Sequence, residues 1–171
     1  INIVAMKKEM LERLVADRRS RNLTSFHKDI LQSGIGSYTI NAFEFDGYLA
    51  RFDSLRNYFA ANMQLLEPEV RHSLFPRERP VYTKIRDEAP VYYGLDATVK
   101  NSLIADGCSI EGYVENCILF RGVQVAKGAR LRNTIIMQAS QIGEHCNLEY
   151  VITDKNVVIN ANRRIMGFET Y

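Results

Sequence analysis

Apolar positions in the C-terminal half of the chain recur in a fixed frame. Ile110, Val125, Ile142 and Ile159 fall 15, 17 and 17 residues apart, and Val114, Leu131, Leu148 and Ile165 fall 17 apart throughout. A third series keeps step with them: Asn101-Ser102-Leu103, Asn116-Cys117-Ile118, Asn133-Thr134-Ile135 and Tyr150-Val151-Ile152. Within each repeat, aliphatic residues stand six apart, from Val125 to Leu131, Ile142 to Leu148 and Ile159 to Ile165. The pattern predicts a parallel β-helix of hexapeptide repeats, three short faces to a coil, each face sending an aliphatic residue into a central stack. One coil cannot bury its own apolar row, but stacked coils bury one another's, with Ile118 under Ile135 under Ile152. Gly112, Gly122, Gly128 and Gly143 fall between the columns, and some of them are expected at corners whose backbone angles exclude a side chain. A Greek-key sandwich would also show turns at roughly 8–12-residue intervals, but it has no reason to hold a 17-residue register. The step from Ile110 to Val114 is two residues shorter than its successors, and there the frame is expected to bend toward the preceding domain.

The N-terminal half follows a different period. Met6, Met10, Leu11, Leu14 and Val15 have helical spacing, with Lys7, Lys8, Glu9, Glu12 and Arg13 opposite, which predicts an amphipathic helix lying on a sheet. Asp17 to Asn22 reads as a charged connector, Phe26 to Leu31 as a short helix closed near Gly34, Tyr38 to Phe45 as a strand and Tyr48 to Phe52 as an extended piece. Asp53 or Ser54 is placed to cap a helix from Leu55 to Leu66, whose stripe of Leu55, Tyr58, Phe59, Met63 and Leu66 faces a core and which ends at Glu67-Pro68. Pro68 to Pro90, broken by Pro76 and Pro80, reads as a crossing segment anchored by Tyr82, Tyr92 and Tyr93. The expected domains are therefore an α/β part at 1–67, a linker at 68–95 and the β-helix at 96–171. Ile1 opens an apolar segment, Ile1 to Met6, without an initiator methionine, so the chain is expected to start partway through a strand of a larger protein.

Charge and composition narrow the function classes. The 22 basic and 20 acidic residues are interspersed and the net charge is +2, with no basic block to track a phosphate backbone, so nucleic acid is not an expected partner. No apolar run reaches the ~18–20 residues of a membrane span and no signal peptide is present, which predicts a soluble, cytoplasmic protein. Cys108, Cys117 and Cys146 lack metal-type spacing and read as small apolar side chains in a reduced compartment, a zinc site being the lesser alternative.

Three stretches carry a resemblance: "FEFDGYLARFDSLRNYFAANMQLL" from Phe43, "PVYTKIRDEAPVYY" from Pro80 and "NSLIADGCSIEGYVENCILFRGVQVAKGARLRNTIIMQ" from Asn101. Together they resemble the C-terminal half of bacterial glucose-1-phosphate adenylyltransferases, over nearly the whole chain. The resemblance implies the end of a nucleotidyltransferase α/β domain followed by a left-handed β-helix that helps to build a tetramer. It also implies a role in joining ATP and glucose 1-phosphate into ADP-glucose and pyrophosphate for glycogen biosynthesis.

The departures matter as much. Catalytic members follow the equivalent of Gly47-Tyr48 with Trp, any residue, Asp, then Val or Ile, Gly and Thr, the Asp being a magnesium ligand; here Leu49, Ala50, Arg51, Phe52, Asp53 and Ser54 occupy those positions. Carboxylate oxygens hold that hard cation, and Arg51 puts a cation where one should bind. The family's Asp-Phe-Gly corresponds to Ser25-Phe26-His27, without acid or glycine. Either Asp53 substitutes as ligand, or the subunit has lost catalysis. The second reading matches the GlgD-type subunit, a regulatory or assembly paralogue with no catalytic or metal residue of its own in this stretch. Magnesium then belongs to the catalytic subunit, the expected partner in a hetero- or homotetramer.

The resemblance places activator sites near the contact of the two domains. Arg71, Arg77, Arg79, Lys84 and Arg86 give the crossing segment a basic bias suited to sugar-phosphate effectors, although solvation of a surface linker explains them equally. Two alternatives stand beside this reading. A hexapeptide acyltransferase would use His145 as general base near a corner, and another sugar-nucleotide pyrophosphorylase would read its base with residues upstream of Ile1.

Overall fold

A computed structural model describes residues 3–21, 25–32 and 34–168, apart from the side chains of 18–21. The chain divides into two compact units, 1–46 and 47–171.

In the first unit, α1 spans Lys8–Arg21 and a π-helical turn spans Phe26–Gln32. The expected connector from Asp17 is therefore helical as far as Arg21, and Asn22 lies outside the described residues. Leu14 and Ile30 are buried, whereas Leu11 and Val15 remain exposed, so the predicted stripe is narrower than its sequence suggests. Gly34 closes the π turn by donating its N–H to the Ile30 carbonyl at 3.0 Å. A Cβ at Gly34 would lie 2.5 Å from both that carbonyl oxygen and the Tyr38 ring. Tyr38 is folded back onto this turn, and its N–H reaches the Gly34 carbonyl at 3.0 Å. The predicted strand from Tyr38 to Phe45 does not form, nor does one at residues 3–6; Ile1 and Asn2 lie outside the described residues. An alternating pattern makes a strand only when a neighbour accepts its hydrogen bonds, and no sheet stands among the described residues of this unit. The sheet expected beneath α1 is therefore not seen.

The second unit opens with α2 (Leu55–Gln64). Ser54 is its N-cap: extended in backbone, it accepts the Asn57 N–H on Oγ at 3.1 Å. α2 ends before Glu67-Pro68, as expected, but Pro68 also starts a further helix, α3 (Pro68–Leu74), where a crossing segment was expected. Proline suits the first helical turn because its missing N–H would have no partner there. Arg71 joins the two helices by donating from Nη1 to the Leu65 carbonyl at 2.6 Å.

From Tyr92 the chain winds into a parallel β-solenoid. Its first sheet stacks β1 (Tyr92–Tyr93), β4 (Ser109–Ile110), β7 (Gln124–Val125), β10 (Gln141–Ile142) and β12 (Val158–Ile159). The second stacks β2 (Thr98–Lys100), β5 (Tyr113–Glu115), β8 (Arg130–Arg132), β11 (Asn147–Glu149) and β13 (Arg164–Met166). The third stacks β3 (Leu103–Ile104), β6 (Ile118–Leu119) and β9 (Ile135–Ile136), extended by a bridge from Ile135 to Ile152. The register is the one the frame predicts: Ile110, Val125, Ile142 and Ile159 pair in sequence, as do Val114, Leu131, Leu148 and Ile165.

The corners follow a rule that the glycines only partly reveal. Left-handed backbone angles recur at Gly107, Gly122, Ala139 and Asn156, at Gly128, His145 and Asn162, and at Asn101, Asn116, Asn133 and Tyr150. Gly122 and Gly128 are thus corner residues, as expected. Asparagine tolerates this region better than most side chains, so the Asn at the head of the third series is a corner device. Gly112 and Gly143 answer to space instead: a Cβ on Gly112 would lie 2.4 Å from the Ala129 carbonyl oxygen, and one on Gly143 2.5 Å from the Ala161 nitrogen.

Gly112 marks the short corner between Ile110 and Val114. Across it, Lys127 Nζ lies 3.4 Å from Asp96 Oδ2, an ion pair between the coils on either side.

Candidate functional site

The three faces of the solenoid differ in what they present outward. In the third sheet, Cys117 and Leu119 belong to the apolar core, as does Ile136. Alternation along a strand then turns Ile118 and Ile135 to the other side. The column predicted to enter the central stack therefore faces away from it. Ile118 and Ile135 are nevertheless buried, Ile135 completely. A ring contact brings α2 to the edge of this face: the Phe59 ring lies 6.1 Å from that of Tyr150, which stands in the Asn corner column. Ala61 and Leu66 on the same helical stretch are buried too. An aromatic residue in the asparagine column is thus the place where the helix seats on the coils.

The second sheet is charged. Tyr113 lies between two cations, Lys100 Nζ and Arg132 Cζ each 5.6 Å from its ring centroid, and its hydroxyl donates to Glu115 Oε2 at 2.8 Å. Arg132 also pairs with that oxygen at 3.4 Å. Arg130 and Arg164 continue the Tyr113 column without an ion-pair partner among the described residues.

The residues of the expected metal position come together at the entry to α2. Arg51 Nε lies 3.2 Å from Asp53 Oδ2, and Asn57 Nδ2 donates to Asp53 Oδ1 at 2.5 Å. Phe52 meets Tyr58 edge to face at 5.7 Å. Both carboxylate oxygens of Asp53 are therefore engaged in fixing the start of a helix, and a guanidinium occupies the space in front of one of them. This donor set does not fit magnesium, which requires several oxygen ligands and no adjacent cation. In the first unit, Ser25 caps the π turn by accepting the Lys28 N–H on Oγ at 3.2 Å, and its own N–H donates to Asp29 at 2.7 Å.

Arg71 is committed to the helix junction, whereas Arg77, Arg79, Lys84 and Arg86 are exposed along an irregular stretch. Neither Tyr82 nor Tyr92 packs into a core; both remain exposed. His145 sits at an exposed left-handed corner directly over Gly128, where a Cβ would meet its Nδ1 at 2.4 Å.

The three cysteines are free and buried, their thiols 3.1 Å from the carbonyls of Phe120, Glu115 and Asn160 in turn. Cys117 also contacts Thr134 Oγ1 at 3.2 Å. Burial raises the Cys117 and Cys108 thiols above their ordinary range, and hydrogen bonds with the backbone at Val123 and Gly122 for Cys108, and with Thr134 and the backbone at Glu115 for Cys117, offset only part of that. Such thiols are packing groups and not nucleophiles. Among the described residues no His, Cys, Asp and Glu side chains cluster as metal ligands, and no helix is long and apolar enough to cross a membrane.

Residues 91–170 match the hexapeptide family described as "GlmU-like, C-terminal hexapeptide". The chain is 43% identical over 167 residues, 98% of its length, to the glycogen biosynthesis protein GlgD of Bacillus subtilis, of which it covers 48%. It is 33% identical over 156 residues to glucose-1-phosphate adenylyltransferases of Bacillus thuringiensis and Bacillus anthracis, covering 91% of this chain and 41% of each relative. The chain thus spans about half the length of the relatives it matches. Over nearly its whole length, this solenoid with its docked helix is similar to GlgD and to the C-terminal part of the glucose-1-phosphate adenylyltransferases.

Proposed function

We propose that the chain is the C-terminal portion of a GlgD-type, non-catalytic subunit of glucose-1-phosphate adenylyltransferase, acting in the cytoplasm through assembly with a catalytic subunit. The observation that carries this reading is the Arg51–Asp53–Asn57 cluster. A position that must hold magnesium against a triphosphate is filled here by an arginine, and the adjacent acid is spent on that arginine and on a helix start. The residues that shape the scaffold keep their roles, since Ser54 caps α2 and the solenoid register is unbroken. Loss confined to the chemistry is what a subunit retained for assembly would show. On this reading residues 1–67 complete a nucleotidyltransferase-like domain, the coils wind left-handed, and the exposed cations of the 77–86 stretch lie where a sugar-phosphate effector would bind.

The test uses the full-length protein, alone and mixed with the catalytic subunit, and measures ADP-glucose formation from ATP and glucose 1-phosphate with magnesium. The expected result is no turnover alone, and a changed maximal rate or effector response on mixing. Turnover by the subunit alone at a rate comparable to the catalytic subunit overturns the reading. So does a mixture indistinguishable from the catalytic subunit by itself.

A further inference from the structure

The outward residues of the second sheet stand in two columns. Thr98, Tyr113, Arg130, Asn147 and Arg164 make one, and Lys100, Glu115, Arg132, Glu149 and Met166 make the other. The residues between them, Val99, Val114, Leu131 and Leu148, pack into the core, so alternation turns both columns outward. Along the second column the charge changes sign at every coil for four coils: Lys100, Glu115, Arg132, Glu149. Within the chain only the middle two are paired, Arg132 to Glu115 at 3.4 Å. Lys100 and Glu149, at the two ends of the run, have no ion-pair or hydrogen-bond partner among the described residues.

We propose that this face packs against the same face of a second copy of the chain, the two stacks of coils running in opposite directions. A two-fold axis lying along the strands, between the coils of Glu115 and Arg132, keeps each column opposite itself and reverses the order of its coils. Lys100 then faces the second copy's Glu149, and Glu115 faces its Arg132. Both contacts recur by symmetry, which gives four ion pairs. In the first column Tyr113 faces Arg130, a cation over a ring, and Thr98 faces Asn147, a pair that can share a hydrogen bond. The register is specific. A slide of one coil sets Arg132 against Arg132 and Glu115 against Glu149 in one direction, and Glu115 against Glu115 and Lys100 against Arg132 in the other. A slide of two coils keeps half of the ion pairs. With the stacks parallel, Arg132 meets Arg130. Like charges opposed across a contact suppress the wrong arrangement. The alternating glutamates also argue against a polyanion, which needs an unbroken row of cations. Four rows at roughly 4.8 Å spacing make a small face beside the ~800 Å² per partner of a standard interface, so association in the micromolar range is expected. The inference rests on the coils alone, and no catalytic partner enters it.

The experiment is sedimentation velocity of the full-length protein at tens of micromolar, with Lys100→Glu, Glu149→Lys, the two single variants mixed, and the double variant Lys100→Glu/Glu149→Lys. Each single variant opposes like charges at both symmetric contacts, so its self-association is expected to weaken by about tenfold or more. In the mixture each altered position faces the other altered position and each native one the other native one, so association is expected to return, as in the double variant. Two misfolded variants could not restore each other. Equal masses for the parent and both single variants overturn the proposal, as does a mixture no more associated than its components. A three-fold assembly overturns it too. So does loss of binding to the catalytic subunit in the single variants with self-association unchanged, which would assign the face to that partner.

Discussion

Ile135 tests the assignment of α2 to the third face more sharply than any core position. It points away from the solenoid interior, yet none of its surface reaches solvent. If the helix covers it, Ile135→Ala removes three buried carbons and leaves a cavity between helix and sheet, at a cost of about 3 kcal/mol, within the range for buried isoleucine. If the face were bare, the same change would fall within about 0.5 kcal/mol, as at other surface sites. The two cases differ by roughly two decades in the folding equilibrium. Phe59→Ala and Tyr150→Asn supply the second arm. Tyr150→Asn restores the residue of the other corners at a backbone φ of 54°, so it relieves strain while removing the ring; the ring pair itself is worth about 0.5–1.5 kcal/mol. A double-mutant cycle between Phe59 and Tyr150 should therefore show a coupling of about 1 kcal/mol. Because stacked coils need not unfold in one step, urea unfolding is best read beside amide hydrogen exchange at 58–66. A helix of 10 residues holds little structure unaided, so its protection reports docking directly. An Ile135→Ala variant with unchanged stability and unchanged helix protection would refute the assignment.

Three further outcomes follow from the geometry. Gly112→Ala should destabilise by about 1–3 kcal/mol, because the new methyl meets the Ala129 carbonyl and no flexible side chain can give way; thermal unfolding of the purified variant measures it. Lys127→Met should change stability by under about 1 kcal/mol despite its ion pair with Asp96, since both side chains are more than two-thirds exposed, and added salt should leave the unfolding midpoint of the parent nearly unmoved. Cys117 has a folded-state thiol raised by burial above its ordinary 9.0, so the native state holds that proton more tightly than the unfolded chain. Its stabilising contribution is complete below that value and declines as pH rises through the unfolded and then the folded range. Unfolding scans above pH 9 should show the loss, Cys117→Ala should reduce it to the part that Cys108 contributes, and thiol-specific reagents should label Cys117 only on unfolding.

The solenoid was readable in the sequence because its core is one-dimensional. Each aliphatic column must repeat at the coil length, so Ile110, Val125, Ile142 and Ile159 announce their own register. Sidedness was less readable. The column of Ile118, Ile135 and Ile152 is as apolar as the inner ones, and an apolar residue under a helix looks like an apolar residue in a core. The small inner partners Cys117 and Thr134, one position earlier, carried the information. Corners were legible in glycine but hidden in asparagine, whose side chain passes for surface polarity until its φ is known. The strand expected at Tyr38 to Phe45 failed because alternation specifies a face and not a neighbour, and α3 was hidden because the proline that marks the end of one helix can also start the next. At the site, Arg51 and Asp53 were identified from the sequence, but their mutual pairing and the role of Asn57 required coordinates.

The three faces show how a repeat protein acquires function without disturbing its frame. Inner positions exchange one aliphatic, cysteine or small residue for another, because every coil must fill the same cross-section. Outward positions carry no such constraint, and here they diverge by face: Tyr, Ser, Gln, Gln, Val on the first, Tyr, Arg, Asn, Arg along the second, and Leu, Ile, Ile, Ile on the third. Among the described residues the third is met at its edge by α2, at a single break in the corner column, Tyr150 in place of asparagine. That break couples the helix to the coils through one ring pair. Ser54 and the Arg51–Asp53–Asn57 cluster fix the start of the same helix. The Arg51–Asp53 pair is thus linked, through α2, to the corner column of the solenoid. A change that frees Asp53 from Arg51 would loosen the entry to α2, because the same carboxylate also holds Asn57 in the first turn of the helix.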